Sequence, residues 1–151
     1  MQNKTKIKIF ISLIAVTIII IIANYILSEV IAINGNQIKH VYIRDILVKA
    51  ELVKTETRIE LGLGGRPNLP VGRGMLFEMP DNDTQQFWMK GMQFSIDIIW
   101  IENGRVIGCE KNISPADPRV FTSPGEAGYV LEVPEGFCDA NKIKVNDEVK
   151  I

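Results

Sequence analysis

The chain has 151 residues, 46% of them apolar and 23% charged, which suits one domain with a single core and leaves no room for a second. Twelve Gly, seven Pro and 7% aromatics exclude collagen-like, low-complexity and disulfide-scaffold classes. With 17 Lys+Arg against 18 Asp+Glu the net charge is −1, so there is no basic footprint for nucleic acid, which is not expected as a partner.

From Ile9 to Leu27 the chain reads IFISLIAVTIIIIIANYIL, without a charge. At roughly 1.5 Å per residue this run spans about 28 Å, close to the thickness of a bilayer's hydrocarbon core. Lys4, Lys6 and Lys8 precede it and only Glu29 follows closely. The positive-inside rule then keeps the N-terminus cytoplasmic and exports the rest. The competing reading is a cleavable signal peptide, with Val30 and Ala32 at the recognition positions and a secreted body as the outcome. The apolar run is longer than a usual signal core, and no helix breaker precedes the cut. A single-pass anchor is therefore expected, with the membrane as a partner through Ile9–Leu27. Residues 1–33 form the anchor, 34–47 a joint and first strand region, and 48–151 a β-domain.

Beyond the joint the hydrophobic period shortens. His40–Ile43 and Ile46–Val53 (ILVKAELV) alternate in part and carry β-branched residues, which predicts strands. Thr55 to Leu61 predicts one short helix, with Thr55 or Thr57 as N-cap and Glu60 completing a capping box with Thr57; Gly62 ends it. Gly74–Met79 predicts a strand stopped by Pro80, and Asp81-Asn82-Asp83 a turn. Ile96–Ile101 and Val106–Ile113 flank Asn103-Gly104, a pair suited to a two-residue type I′ hairpin. Tyr129–Val133 and Glu148–Ile151 predict two more strands, joined by a short helix or turn over Gly136–Lys142. The expected fold is mainly β: a compact antiparallel sandwich or small barrel with one or two short helices, preceded by one N-terminal transmembrane helix.

The order of residues along this body resembles a known family. Gly62-Leu63 and Arg66, Gly74-Met75-Leu76-Phe77, Phe87-Trp88-Met89-Lys90, Asp97, Pro115, Tyr129-Val130-Leu131-Glu132, and Lys144-Val145 with Asp147 are similar to the domain of unknown function 192 family over about Val48 to Ile151. The resemblance implies a compact β-sandwich-like domain, often found behind a signal sequence or anchor, without an established activity. Four places depart from the family pattern. Gly64 stands where a Met is usual, Gly91-Met92 replace Asn-Thr, Ser95 replaces a Pro, and Asn146 replaces a Gly. The extra glycines leave the geometry around Arg66 open, and the missing Pro frees the approach to Asp97.

Most catalytic equipment is absent from the sequence. His40 is the sole histidine, so a Ser-His-Asp or Cys-His machine lacks its base in the body. One His and two Cys without Cys-x-x-Cys or His-x-x-x-His spacing cannot close a zinc shell, and Asp81-Asn82-Asp83 lacks the Gly and distant Glu of a calcium loop. Neither metal nor cofactor is expected. Cys109 and Cys138 either form a disulfide worth about 3 kcal/mol or stay as small buried hydrophobes.

The remaining constellation is Arg66, Trp88, Lys90 and Asp97. Alternation in Phe87-Trp88-Met89-Lys90 puts Phe87 and Met89 on one face, and Trp88 with Lys90 on the other. An indole, an ammonium, a guanidinium and a carboxylate together suit a small polar or anionic ligand, or an envelope component. The structural alternative packs Trp88 in the core and pairs Asp97 with Lys90 or Arg66. An enzyme using Asp97 as acid or base needs a second carboxylate; Glu132 is available, but a solvated strand face explains it equally well. The reading is a membrane-tethered extracytoplasmic binding domain rather than an enzyme, with a structural or protein-interaction domain as the further alternative.

Overall fold

The computed structural model describes residues 13–22 and 36–151. The chain divides into two units, Met1–Asn36 and Gln37–Ile151. In the first, residues 13–22 are helical, and Leu13, Ile14, Val16 and Ile18 to Ile22 are exposed. The rest of the expected Ile9–Leu27 membrane segment, the Val30/Ala32 cleavage positions and the start of the joint lie outside the described residues. Among the described residues no helix is long and apolar enough to cross a membrane.

The second unit is mainly β. Its elements are β1 (Ile38–Ile43), β2 (Ile46–Val53), α1 (Glu56–Leu61), β3 (Arg73–Glu78), β4 (Thr84–Trp88), β5 (Ile96–Glu102), β6 (Arg105–Ile113), β7 (Val120–Glu126), β8 (Tyr129–Pro134), α2 (Phe137–Ala140) and β9 (Val149–Lys150). Seven strands form one sheet in the order β6-β5-β8-β3-β2-β1-β9, and β4 pairs with β7 in a separate ribbon. The sheet curls into a half-barrel whose two edges meet. Arg105 bridges to Glu148, the Val106 N–H donates to the Asp147 carbonyl at 3.0 Å, and the Val149 N–H donates to the Gly104 carbonyl at 2.7 Å.

Strand alternation sorts the apolar residues into two cores. Val41, Val48, Ala50, Leu76, Ile99, Leu131, Val106 and Val149, drawn from all seven strands, pack together with Cys138 and Ile143 inside the curl. The opposite set, including Met75, Phe77, Ile98, Trp100 and Val130, is covered by Leu63 and by Phe87, Met89 and Phe121 of the ribbon and the turn after it. Phe87 anchors that second layer, with edge-on contacts to Phe77 at 5.0 Å and Trp100 at 5.7 Å between ring centroids.

Two sequence expectations are corrected. The β2–β3 pair is parallel, with α1 in the crossover, so the sheet is not wholly antiparallel. Thr55 takes the N-cap position without a side-chain cap hydrogen bond, so no capping box forms. The Asn103-Gly104 hairpin is as expected: both residues have positive φ, 48° and 68°, and Glu102 pairs with Arg105.

Candidate functional site

Register places Glu51 beside Met75, Met75 beside Glu132, and Glu132 beside Ile98. These four residues form a row across the convex face of the sheet, under the second layer. In β2 the alternation that sends Val48, Ala50 and Leu52 inward turns Glu51 to this face. In β8 Leu131 and Val133 point into the curl, so Glu132 points the other way.

The loop after α1 folds over this row. Arg66 donates from both terminal nitrogens to Glu51, at 2.6 Å to Oε1 and 2.8 Å to Oε2, a bidentate pair that is mostly shielded from solvent. These hydrogen bonds lift the Arg66 guanidinium above its ordinary pKa, against the opposing effect of burial. The glycines that left the Arg66 geometry open in the sequence in fact fix it. The Gly65 N–H donates to the Gly91 carbonyl at 2.9 Å, both residues having φ near +75°. A Cβ on Gly64 would come within 2.9 Å of the Leu61 carbonyl oxygen, so close backbone approach excludes the usual Met here.

Between α1, its following loop and β4 lies a cavity of about 80 Å³. Ile59 to Leu63, Met79, Gln86 to Trp88, Lys90 and Met92 form its walls, and Glu132 lines its inner end. Glu132 is only 5% exposed, and its Oε2 has no hydrogen-bond partner among the described residues. Burial pushes this carboxyl up to about 8, while the positive charge of Arg66 acts in the opposite direction without offsetting it. Glu132 is therefore mainly a neutral carboxylic acid at neutral pH, in a residue that lines the cavity and has one enclosed, unengaged oxygen.

Alternation in the Phe87–Lys90 stretch holds. Phe87 and Met89 are buried, whereas Trp88 is 45% exposed and Lys90 is exposed, and the latter two share the cavity. Lys90 forms no ion pair among the described residues. Of the four residues singled out from the sequence, the structure thus brings Trp88 and Lys90 together and sets Arg66 behind them beside Glu132.

Asp97 sits elsewhere. It pairs with Val133 in register and so points into the curl, on the opposite face from Glu132. Its carboxylate is fully buried and accepts three backbone N–H groups: Asn112 at 2.7 Å, Gly136 at 3.2 Å and Cys138 at 2.8 Å. It pairs with neither Lys90 nor Arg66, so the expected cluster of three charged groups is not assembled. Asp97 instead ties β5 to β6 and to the start of α2. Cys109 and Cys138 form a disulfide across 29 residues of sequence, next to Asp97. Asp97, Cys109 and Cys138 are close enough together to suggest a metal site. Their donor atoms, however, are already committed to the disulfide and to the three N–H groups.

For Glu132 the sequence left a site role and a solvated strand face equally open; the structure buries it, so the solvated face is excluded. A cue was present, because Glu132 interrupts the apolar run Val130-Leu131-Glu132-Val133 in a strand whose sheet is covered on both sides. Glu51 went unnoticed, although ILVKAELV places it opposite Ala50 and Leu52.

Residues 39–151 match the family described as Uncharacterized ACR, domain of unknown function 192. The chain belongs to this family. The match starts at Lys39 and so takes in β1, which the motifs from Val48 onward did not reach. A solved protein of unknown function from Novosphingobium aromaticivorans is 28% identical, with a TM-score of 0.77 over 81% of this chain and 91% of its own. A second, from Sinorhizobium meliloti and described as a "putative transcription regulator", is 22% identical, with a TM-score of 0.69 over 74% of this chain and 89% of its own. The second likeness shows the fold alone. A search of curated proteins gives no significant match.

Proposed function

We propose that this protein is a membrane-tethered extracytoplasmic β-domain that binds a small polar or anionic ligand, or an envelope component, in the cavity between Trp88, Lys90 and Glu132. The observation that carries the reading is Glu132, a buried residue that lines that cavity and whose enclosed Oε2 has no hydrogen-bond partner among the described residues. A buried polar atom without a partner costs about 1–3 kcal/mol, a cost that a ligand able to hydrogen-bond it would remove. Trp88 offers an exposed flat surface and Lys90 a positive charge beside the mouth. The tethering half of the proposal rests on the charge-free Ile9–Leu27 run behind three lysines. Asp97 is poorly suited to acid–base chemistry, since three backbone N–H groups already occupy its oxygens.

The binding half is tested by titrating the full chain in detergent micelles with a panel of monosaccharides, organic acids and amines while following tryptophan fluorescence. Trp100 is fully buried, so a ligand at the mouth reports through Trp88 and loses its signal in Trp88→Phe. A panel without any such quench contradicts the reading. Protease shaving of intact cells, or of spheroplasts where an outer membrane exists, tests the tethering: the body is digested and a membrane-bound stub remains. A body protected in intact cells but digested after lysis contradicts the topology.

A further inference from the structure

We propose that the group received at the inner end of this cavity is a carboxylate, which hydrogen-bonds to the carboxyl group of Glu132. The inference rests on the binding reading above and names its ligand class. Three observations converge on it. The first is size. About 80 Å³ admits only a few heavy atoms, the end of a ligand rather than a whole sugar, with the remainder left to rest on Trp88 at the mouth.

The second is the donor inventory. A neutral carboxylic acid has one O–H to give, and Oε2 of Glu132 has no hydrogen-bond partner among the described residues. The other polar side chains of the lining, Glu60, Gln86, Trp88 and Lys90, are exposed, whereas Glu132 is buried beside apolar Leu63 and Phe87, so it is the buried polar group of the lining.

The third is charge. The groups around Glu132 are Arg66 from the loop, Glu51 from β2, Glu60 from α1 and Lys90 after β4. Glu51 is taken up by its bidentate bond with Arg66, and Glu60 is exposed at the rim. The charge that acts directly on Glu132 is the positive one of Arg66, and Lys90 adds another at the mouth. An incoming ammonium would meet both cations. An incoming carboxylate is attracted by them and accepts the Glu132 proton in a hydrogen bond, provided the proton is there; once Glu132 ionises, two carboxylates face each other and repel. Binding must therefore weaken as pH rises through the Glu132 titration, which lies near 8.

The test uses the full chain in micelles, with propionate, propylammonium and a short peptide ending in alanine as probes, and NMR of the side-chain Cδ of residue 132, carboxyl in the wild type and carboxamide in Glu132→Gln, as readout. Propionate is expected to bind at about pH 6 and roughly tenfold more weakly at about pH 9, following the protonated fraction. Glu132→Gln, which keeps a neutral donor in the same shape, is expected to bind propionate at both pH values within about threefold. The longer peptide acid extends past the mouth over the exposed part of Trp88 and is expected to quench its fluorescence more strongly than propionate does, which separates the two sources of a carboxylate. Preference for propylammonium, affinity that rises with pH, loss of propionate binding in Glu132→Gln, or no binding of either acid overturns the inference. If acids fail while a sugar or amine still quenches Trp88, the binding reading stands and only the carboxylate assignment falls.

Discussion

Glu132 and Asp97 are two buried carboxyl groups given opposite tasks by their surroundings. Asp97 meets three backbone N–H donors and serves as a staple between β5, β6 and α2. Asp97→Asn puts an amide N–H₂ where an acceptor is needed, so the melting temperature should fall by the equivalent of roughly 2–4 kcal/mol while any affinity at the cavity stays unchanged. An unchanged melting temperature would mean that the three hydrogen bonds contribute nothing. Glu132 carries a stability cost of its own. Its unfolded form titrates near 4.5 and its folded form near 8, so between these values the folded chain holds the extra proton. Stability therefore declines as pH rises through that window and levels off above it. Glu132→Gln should abolish that decline and be on the order of 2–3 kcal/mol more stable than the wild type at neutral pH, as read by denaturant unfolding at several pH values. A variant that keeps the pH slope would place the titration in another group.

Among the elements, the Asn103-Gly104 hairpin is the one whose sequence determines its geometry most completely. Gly104 has φ of 68°, and a Cβ there would also come within 3.3 Å of the Val149 carbonyl oxygen, at the seam where the sheet edges meet. Gly104→Val should thus cost about 1–3 kcal/mol, measured as a drop in thermal stability; no drop would reject the strain. The same local chemistry made β1, β2, β3, β5, β6 and β8 legible, because each carries a run of β-branched or aromatic residues bounded by turn residues. β7 was not legible: Thr122-Ser123-Pro124-Gly125 lacks an apolar run, and its strand form comes from pairing with β4 rather than from propensity. The parallel β2–β3 register was hidden for a similar reason, since it depends on a short crossover through α1 that periodicity does not encode.

At the scale of the molecule, the family and the β-rich class were readable from residue order, while half of the site was not. Trp88 and Lys90 followed from strand alternation alone. Arg66 required its partner Glu51, fifteen residues away and brought near only by the loop that closes over the sheet. Asp97 looked like a surface carboxylate because sequence cannot tell which face of a twice-covered sheet a polar residue takes. The pairing of Cys109 with Cys138 likewise depended on a separation that only the fold supplies.

The claim that joins these scales is that Glu132 stands neutral and unengaged at the inner end of the cavity. Its most direct test is the pH titration of the Glu132 carboxyl carbon by NMR in the full chain, without ligand and then with propionate. The predicted midpoint lies near 8 and moves upward when propionate is added, because the acid binds the protonated form. A midpoint near the ordinary carboxylate value of 4.5, or one that moves downward with propionate, would contradict the account.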